Sequence, residues 1–171
     1  QILKELENNN LVKGFSSRII ISAMASSAHG AEGVRVIGID SENEKQFSDI
    51  SKNILKGNYF SNIKSKSALI RQKLADKWKL DIKKKLSFTF VDDKGDLQRI
   101  KFKVEGVFKT ASSIHDSGNI YVKKEDLNQL LFNNSMIHEV AILCNNIDDS
   151  DILKQELQNS FPENKVETWK D

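Results

Sequence analysis

Ser112, Ser113, His115 and Asp116 crowd into one short stretch of this 171-residue chain. A hydroxyl, an imidazole and a carboxylate are the parts of a hydrolase in which the base takes the nucleophile's proton and the acid orients the base. Those groups must converge from different directions, and such sets are normally drawn from distant segments. Neighbours on one turn rarely supply that geometry, so the stretch reads as a polar turn between strands. A free-standing hydrolase built on Ser112–Asp116 is the rival reading. His29, His115 and His138 are too dispersed for the short ligand spacings of a metal site. Cys144 is the single cysteine, which rules out an internal disulfide and a thiolate cluster. In the apolar run Val140–Cys144 it reads as a small buried hydrophobe. The adjacent acids Asp92-Asp93 and Asp148-Asp149 mark turns or caps. Gly30, Gly33 and Gly38 lack dinucleotide-loop spacing, and no glycine-rich loop ends in Lys-Ser or Lys-Thr. The sequence therefore predicts no catalytic group, no cofactor and no metal.

Charge agrees with that reading. Lys and Arg number 26 and Asp and Glu 24, leaving a net charge of +2. The basic stretch Lys73, Lys77, Lys79, Lys83, Lys84 and Lys85 lacks interleaved aromatics except Trp78, which belongs to an apolar stripe. It reads as a solvated face, and no nucleic-acid partner is expected. No run of about 18 apolar residues occurs. The Asn133–Ser135 match to a glycosylation acceptor is a short pattern that arises by chance. The first residue is Gln1, which suggests a piece of a longer protein.

Several elements must position whatever these residues do. Gln1–Asn9 carries Ile2, Leu3 and Leu6 at helical spacing. Ser17–Met24 and Val34–Ile39 are strand candidates around a small-residue loop, Ser26–Gly33, and are expected to pair as a hairpin. Asp40 or Ser41 caps a helix with a stripe of Phe47, Ile50, Ile54 and Leu55, and Gly57 stops it. Ser67–Leu80 reads as a second helix, with Ile70, Leu74 and Trp78 on one face. Lys85–Phe108 alternates cleanly on both sides of Asp92–Asp96 and predicts a β-hairpin with Ile100, Phe102 and Val104 inward. Then come a strand at Ile120–Val122, a helix at Glu125–Phe132, a strand at Glu139–Cys144, a helix at Asp151–Phe161 and a strand at Lys165–Trp169. The end of the chain would thus be a β-α-β unit. The fold class is α+β: a mixed α/β subdomain of residues 1–57 and 119–171, interrupted by a helix-plus-hairpin subdomain of residues 58–118.

Three segments, in order, resemble the periplasmic core domain of ABC-transporter permeases of the lipoprotein-releasing and macrolide-exporter family. The first is the strand Gly33–Ile39 ending in Gly38-Ile39-Asp40. The second is Ala68-Leu69-Ile70 followed by a helix carrying Leu74-Ala75. The third is the strand Phe102–Phe108 with Gly106-Val107-Phe108, then Thr110, Asp116 and the strand-helix pair from Tyr121. Arg71, Lys83-Lys84 and Ala111 stand where family members usually carry glycine or Gly-Asp. The turn Asp92–Asp96 is short where the chaperone-recruiting permease has an extended hook.

The resemblance implies a non-catalytic domain outside the cytoplasmic membrane, placed between two membrane helices. Gly38, Asp40, Leu74, Ala75, Gly106, Phe108, Thr110 and Asp116 would be structural motif residues. The implied partners are a cytoplasmic ATPase subunit reached through the membrane helices and a second permease copy or paralogue. A lipoprotein, a periplasmic chaperone or an adaptor would complete the set. The implied work is to couple ATP hydrolysis mechanically to lipoprotein release, or to drug, toxin or peptide export with an adaptor. A soluble ligand-binding module is the remaining rival and predicts a deep apolar pocket.

Overall fold

The computed structural model describes residues 1–61, 66–111, 118–131 and 137–171. The Ser112–Asp116 turn, with its histidine and Asp116, and the Asn133–Ser135 match lie outside the described residues. The chain divides into two compact units, residues 17–140 and residues 1–16 with 141–171.

The isoleucine-rich segment forms β1, Val12–Ser27, which turns into β2, Gly30–Ile39. They pair antiparallel from Ile19 opposite Gly38 to Ser27 opposite Gly30. The loop expected at Ser26–Gly33 shrinks to Ala28 and His29. Small residues signal a loop, but the backbone here is held on both edges. Met24–Ser26 pairs with β2 on one side and with β5, Lys85–Val91, on the other.

Asp40 caps as expected: its Oδ1 accepts the N–H groups of Glu42 at 3.1 Å and Asn43 at 3.0 Å. The helix expected after it does not form. Two 3₁₀ turns, Asn43–Gln46 and Ile50–Lys52, lead into a short strand β3, Ile54–Gly57. Tertiary pairing overrides helical spacing here, because Ile54–Gly57 pairs antiparallel with Gly106–Phe108. Gly57 reverses the chain at φ 71° rather than closing a helix.

The second expected helix is also corrected. Ser67–Arg71 is a strand, β4, buried along its whole length, and only Gln72–Trp78 is helical, as α2. A strand covered on both faces shows no alternation, so its apolar triplet passes for a helical face. The hairpin reading holds: β5 pairs with β6, Leu97–Phe108, from Lys85 opposite Lys103 to Val91 opposite Leu97. β7, Asn119–Lys123, and the helix α3, Lys124–Asn128, follow.

Six strands close a ring in the order β1-β2-β7-β4-β6-β5 and back to β1. β2 runs parallel to β7 and β4 parallel to β6, while the other ring pairs are antiparallel. Strands of the flanks, β1, β2 and β7, make up one half of that ring, and strands of residues 58–118, β4, β6 and β5, make up the other. Inside it, Ile19, Val36, Phe88, Phe102 and Val122 join one core, and α2 and α3 add Leu74, Ala75, Trp78 and Leu127. Trp78 is 2% exposed, as its place on the apolar stripe predicts.

In the unit of residues 1–16 and 141–171, the helix α1, Ile2–Asn8, buries Leu6. The helix α4, Asp149–Ser160, buries Leu153 and Leu157. The strand β8, Glu139–Cys144, pairs with β1, and the N–H of Asn145 donates to the carbonyl of Leu11 at 2.9 Å. The strand expected at Lys165–Trp169 is absent, so the terminal β-α-β unit does not form. Side-chain charges hold this tail instead of backbone pairing. Lys154 and the Thr168 N–H both donate to the Asp171 carboxylate, which they hold down at about 2. Lys170 reaches Asp151 at 2.7 Å.

The hairpin turn is organised by Asp92. Its Oδ1 accepts the N–H groups of Lys94 at 3.0 Å and Asp96 at 2.8 Å, and its Oδ2 accepts Gln98 Nε2 at 2.9 Å. The bond from Gln98, then those from the backbone, hold its carboxyl below the ordinary aspartate range. A depressed folded-state value gives stability that is present above the unfolded value, about 3.9. That stability is lost as pH falls through the folded value. Melting curves of the wild type and Asp92→Ala should therefore differ at neutral pH and converge under acid. A gap that stays constant down to strongly acidic pH would show that the carboxylate charge is not what organises the turn.

Candidate functional site

The motif residues gather at two glycine contacts in the ring, each forced by close backbone approach. Gly38 lies opposite Val122 of β7 and Ile19 of β1. A Cβ built there would sit 2.8 Å from Leu127 Cδ1 and 3.3 Å from the Cα of Lys124, so α3 packs directly on β2. Asp40 starts the next segment two residues later. Gly106 serves the other contact. A Cβ there would meet the carbonyl oxygen of Asn58 at 2.5 Å, and the Asn58 N–H donates to the carbonyl of Glu105 at 3.1 Å.

A register irregularity at Glu105 explains the second contact. Ala68 pairs with Val104, but Leu69 pairs with Gly106. The extra residue reverses which side chains of β6 face the ring. Ile100, Phe102 and Val104 join the interior core, as does Val107. Phe108 instead forms a second buried cluster with Ile50 and Leu69, flanked by Ile54, Tyr59, Phe60 and Tyr121. Phe108 and Tyr121 meet edge to face, with centroids 5.8 Å apart. The segment from Asp40 to Phe60 thus covers the outer face of β4, β6 and β7. The Tyr59 hydroxyl donates to the carbonyl of Ser41 at 2.8 Å. Burial, then the charges of Glu44, Glu42 and Asp40, push its phenol well above the ordinary range. It therefore stays a neutral donor at physiological pH.

Thr110 accepts a hydrogen bond from Arg71 Nη2 at 2.8 Å, and that guanidinium lies 6.0 Å from the centre of the Phe108 ring. Arg71 thus joins the end of β4 to the residues after β6. Leu74 and Ala75 are both 7% exposed and belong to the interior core. The structure therefore brings Gly106, Phe108 and Thr110 together, sets Gly38 and Asp40 at the end of β2, and keeps Leu74 and Ala75 as packing. Asp116 lies outside the described residues.

One polar element is missing from the expectations drawn from the sequence. Arg18, in the isoleucine-rich strand, donates through Nε and Nη2 to Glu44 and through Nη1 to Glu139 at 2.7 Å. Glu44 is fully buried, though its place in an acidic first turn suggests solvent. Burial works against the guanidinium charge, but Glu44 and Glu139 outweigh it and raise the arginine's value. The signal available in sequence was a lone arginine inside an apolar strand, which usually needs a partner.

Reactive groups are sparse among the described residues. No three His, Cys, Asp or Glu side chains are placed to hold a metal ion. His138 Nδ1 accepts the N–H of Ile20 at 3.0 Å, and His29 is exposed in the β1–β2 turn. Cys144 is half-buried rather than buried, and burial, then Asp149, push its thiol up, away from the reactive thiolate. In the ring interior, the cavity lined by Ile21, Ala23, Val36, Phe88, Phe102 and Leu127 measures about 10 Å³. That holds one water at most. The cleft lined by Lys66, Lys85, Lys101, Phe102 and Lys103 is larger, about 240 Å³.

No family model matches the sequence, and no curated protein matches it significantly. Solved structures do match. The extracellular domain of the noncanonic ABC-type transporter YknZ from Gram-positive bacteria superposes with a TM-score of 0.65 at 17% identity. The match covers 96% of this chain and 83% of that one. The fold is that of a MacB-like periplasmic core domain. The periplasmic region of MacB from Actinobacillus actinomycetemcomitans matches with a TM-score of 0.61 at 11% identity, over 93% of this chain and 72% of that one. The mixed α/β class expected from the sequence is the class found. Among the described residues, no helix is long and apolar enough to cross a membrane.

Two substitutions test how the site is held. Gly106→Ala should cost about 2 kcal/mol, because its methyl meets backbone rather than a movable side chain. Denaturant unfolding reads the loss, and a neutral outcome would remove close approach as the reason for glycine. Arg18→Met should cost about 3 kcal/mol by stranding the buried Glu44 charge. The double variant Arg18→Met, Glu44→Gln should lose less than the single one. Equal losses would deny the pairing.

Proposed function

We propose that this chain is the extracytoplasmic domain of an ABC-type permease and acts mechanically, without covalent chemistry. The observation that carries the reading is the fold, shared over nearly the whole chain with domains of two such transporters. The order of the Gly38-Ile39-Asp40, Leu74-Ala75 and Gly106–Thr110 motifs supports it independently. The shared core of the ring supports it too, because a closely packed body moves as one. ATP is hydrolysed by a cytoplasmic subunit, and membrane helices of the parent chain carry the change outward. The domain then moves against a second permease copy or paralogue, facing the periplasm or its equivalent.

The transported molecule is a lipoprotein, a peptide or another amphiphile. The tight, Asp92-centred hairpin turn favours export with an adaptor over recruitment of a lipoprotein chaperone through a hook. The full-length parent should copurify with an ATPase subunit and, on this reading, with an adaptor. Copurification of a lipoprotein chaperone instead would reverse the choice of substrate. The isolated domain should bind ATP no more tightly than about 1 mM, an affinity worth only about 4 kcal/mol. Micromolar ATP affinity, or a parent without membrane-spanning segments, would overturn the proposal.

A further inference from the structure

The cleft of about 240 Å³ on the outer face of β5 and β6 is lined by four lysines, Lys66, Lys85, Lys101 and Lys103, with Phe102. They come from three separate stretches of chain. Lys85 and Lys103 are directly opposite each other in the β5–β6 register, and the Lys103 N–H donates to the carbonyl of Lys66 at 2.9 Å. Lys85 and Lys103 are thus a cross-strand pair, and Lys66 stands just before β4, beside Ser67, which lies opposite Lys103. Lys101 stands two residues along β6, on the same face. Like charges directly opposite on a sheet are destabilising. Among the described residues, no carboxylate forms an ion pair with any of the four; Asp126 senses Lys66 only at longer range. A chain with almost balanced charge has thus gathered four lysines around one concavity, with no carboxylate ion-paired to any of them among the described residues. Such a concavity focuses positive potential.

The geometry points to a binding site for a phosphate group carried on a larger molecule. Four lysines around one cleft match a phosphate ester, which carries up to about two negative charges, better than a single carboxylate. The cleft also has room beyond one phosphate. The inference stands apart from the transport reading, since it rests only on the four lysines and the cleft.

The test titrates the chain with pyrophosphate at low salt, following backbone amide shifts and melting temperature. Pyrophosphate should shift amides around Lys66, Lys85, Lys101 and Lys103 and raise the melting temperature. Lys101→Gln with Lys103→Gln should weaken binding at least about tenfold. Lys73→Gln with Lys79→Gln, on exposed residues away from the cleft, should leave it unchanged. Lys103→Gln alone should raise the melting temperature in phosphate-free buffer, a readout that survives any change in affinity. Sedimentation with phosphatidylglycerol but not phosphatidylcholine vesicles would assign the phosphate to a lipid headgroup. Pyrophosphate binding without sedimentation would assign it to a soluble ester. Absence of both, or equal weakening by the two double variants, would overturn the inference.

Discussion

Closing six strands into a ring sets the terms for the rest of the central unit. A closed sheet has no free edge within the ring, and its inward side chains share one enclosed volume. That volume is filled by side chains such as Phe88, Phe102, Ile100 and Val36, down to a void of about 10 Å³. Filling it to native density makes the ring stiff, because packed interiors do not deform continuously. Both long strands divide their outer edges to achieve closure. Residues 24–26 of β1 meet β5 while β8 also joins β1, and β6 serves β5 with one half and β3 with the other.

The irregularity at Glu105 follows from that closure. Without it, strict alternation would send Phe108 inward with Phe102 and Val104. The extra residue turns Phe108 outward, onto Leu69 and Tyr121, where the segment from Asp40 to Phe60 covers it. Gly106 and Gly57 let that segment lie against β6, and Arg71 ties the end of β4 to Thr110. Gly106, Phe108 and Thr110 thus lie where a covering layer meets the closed ring, while Gly38 admits α3 and Leu74 and Ala75 fill the core.

Polar interactions divide the same labour. Arg18 fastens the covering turn through the buried carboxylate of Glu44. Asp92 shapes the hairpin turn by accepting three donors, and Lys154 and Lys170 hold the C-terminal tail by charge. The lysine pair on β5 and β6 does the reverse: it sets like charges side by side where packing asks for nothing of the kind. Sites that cost stability are where binding is expected.

Local pattern was enough for the Lys85–Phe108 hairpin, because a half-exposed antiparallel pair alternates at a period of two and its turn is short. It was enough for Trp78, Leu74 and Ala75 in the core, and for Asp40 as a cap, since each rests on neighbours within one turn. The ordered motifs also carried the fold class. Three features were invisible to it. Ser67–Arg71 is buried on both faces, so nothing in its sequence distinguishes strand from helix. Residues 41–57 have helical spacing, but β6 recruits Ile54–Gly57 into pairing from fifty residues away. Lys165–Trp169 alternates like a strand yet finds no partner edge. Ring closure, the Arg18–Glu44 pair and the gathering of four lysines all join residues far apart in the chain, and only the folded molecule decides such meetings.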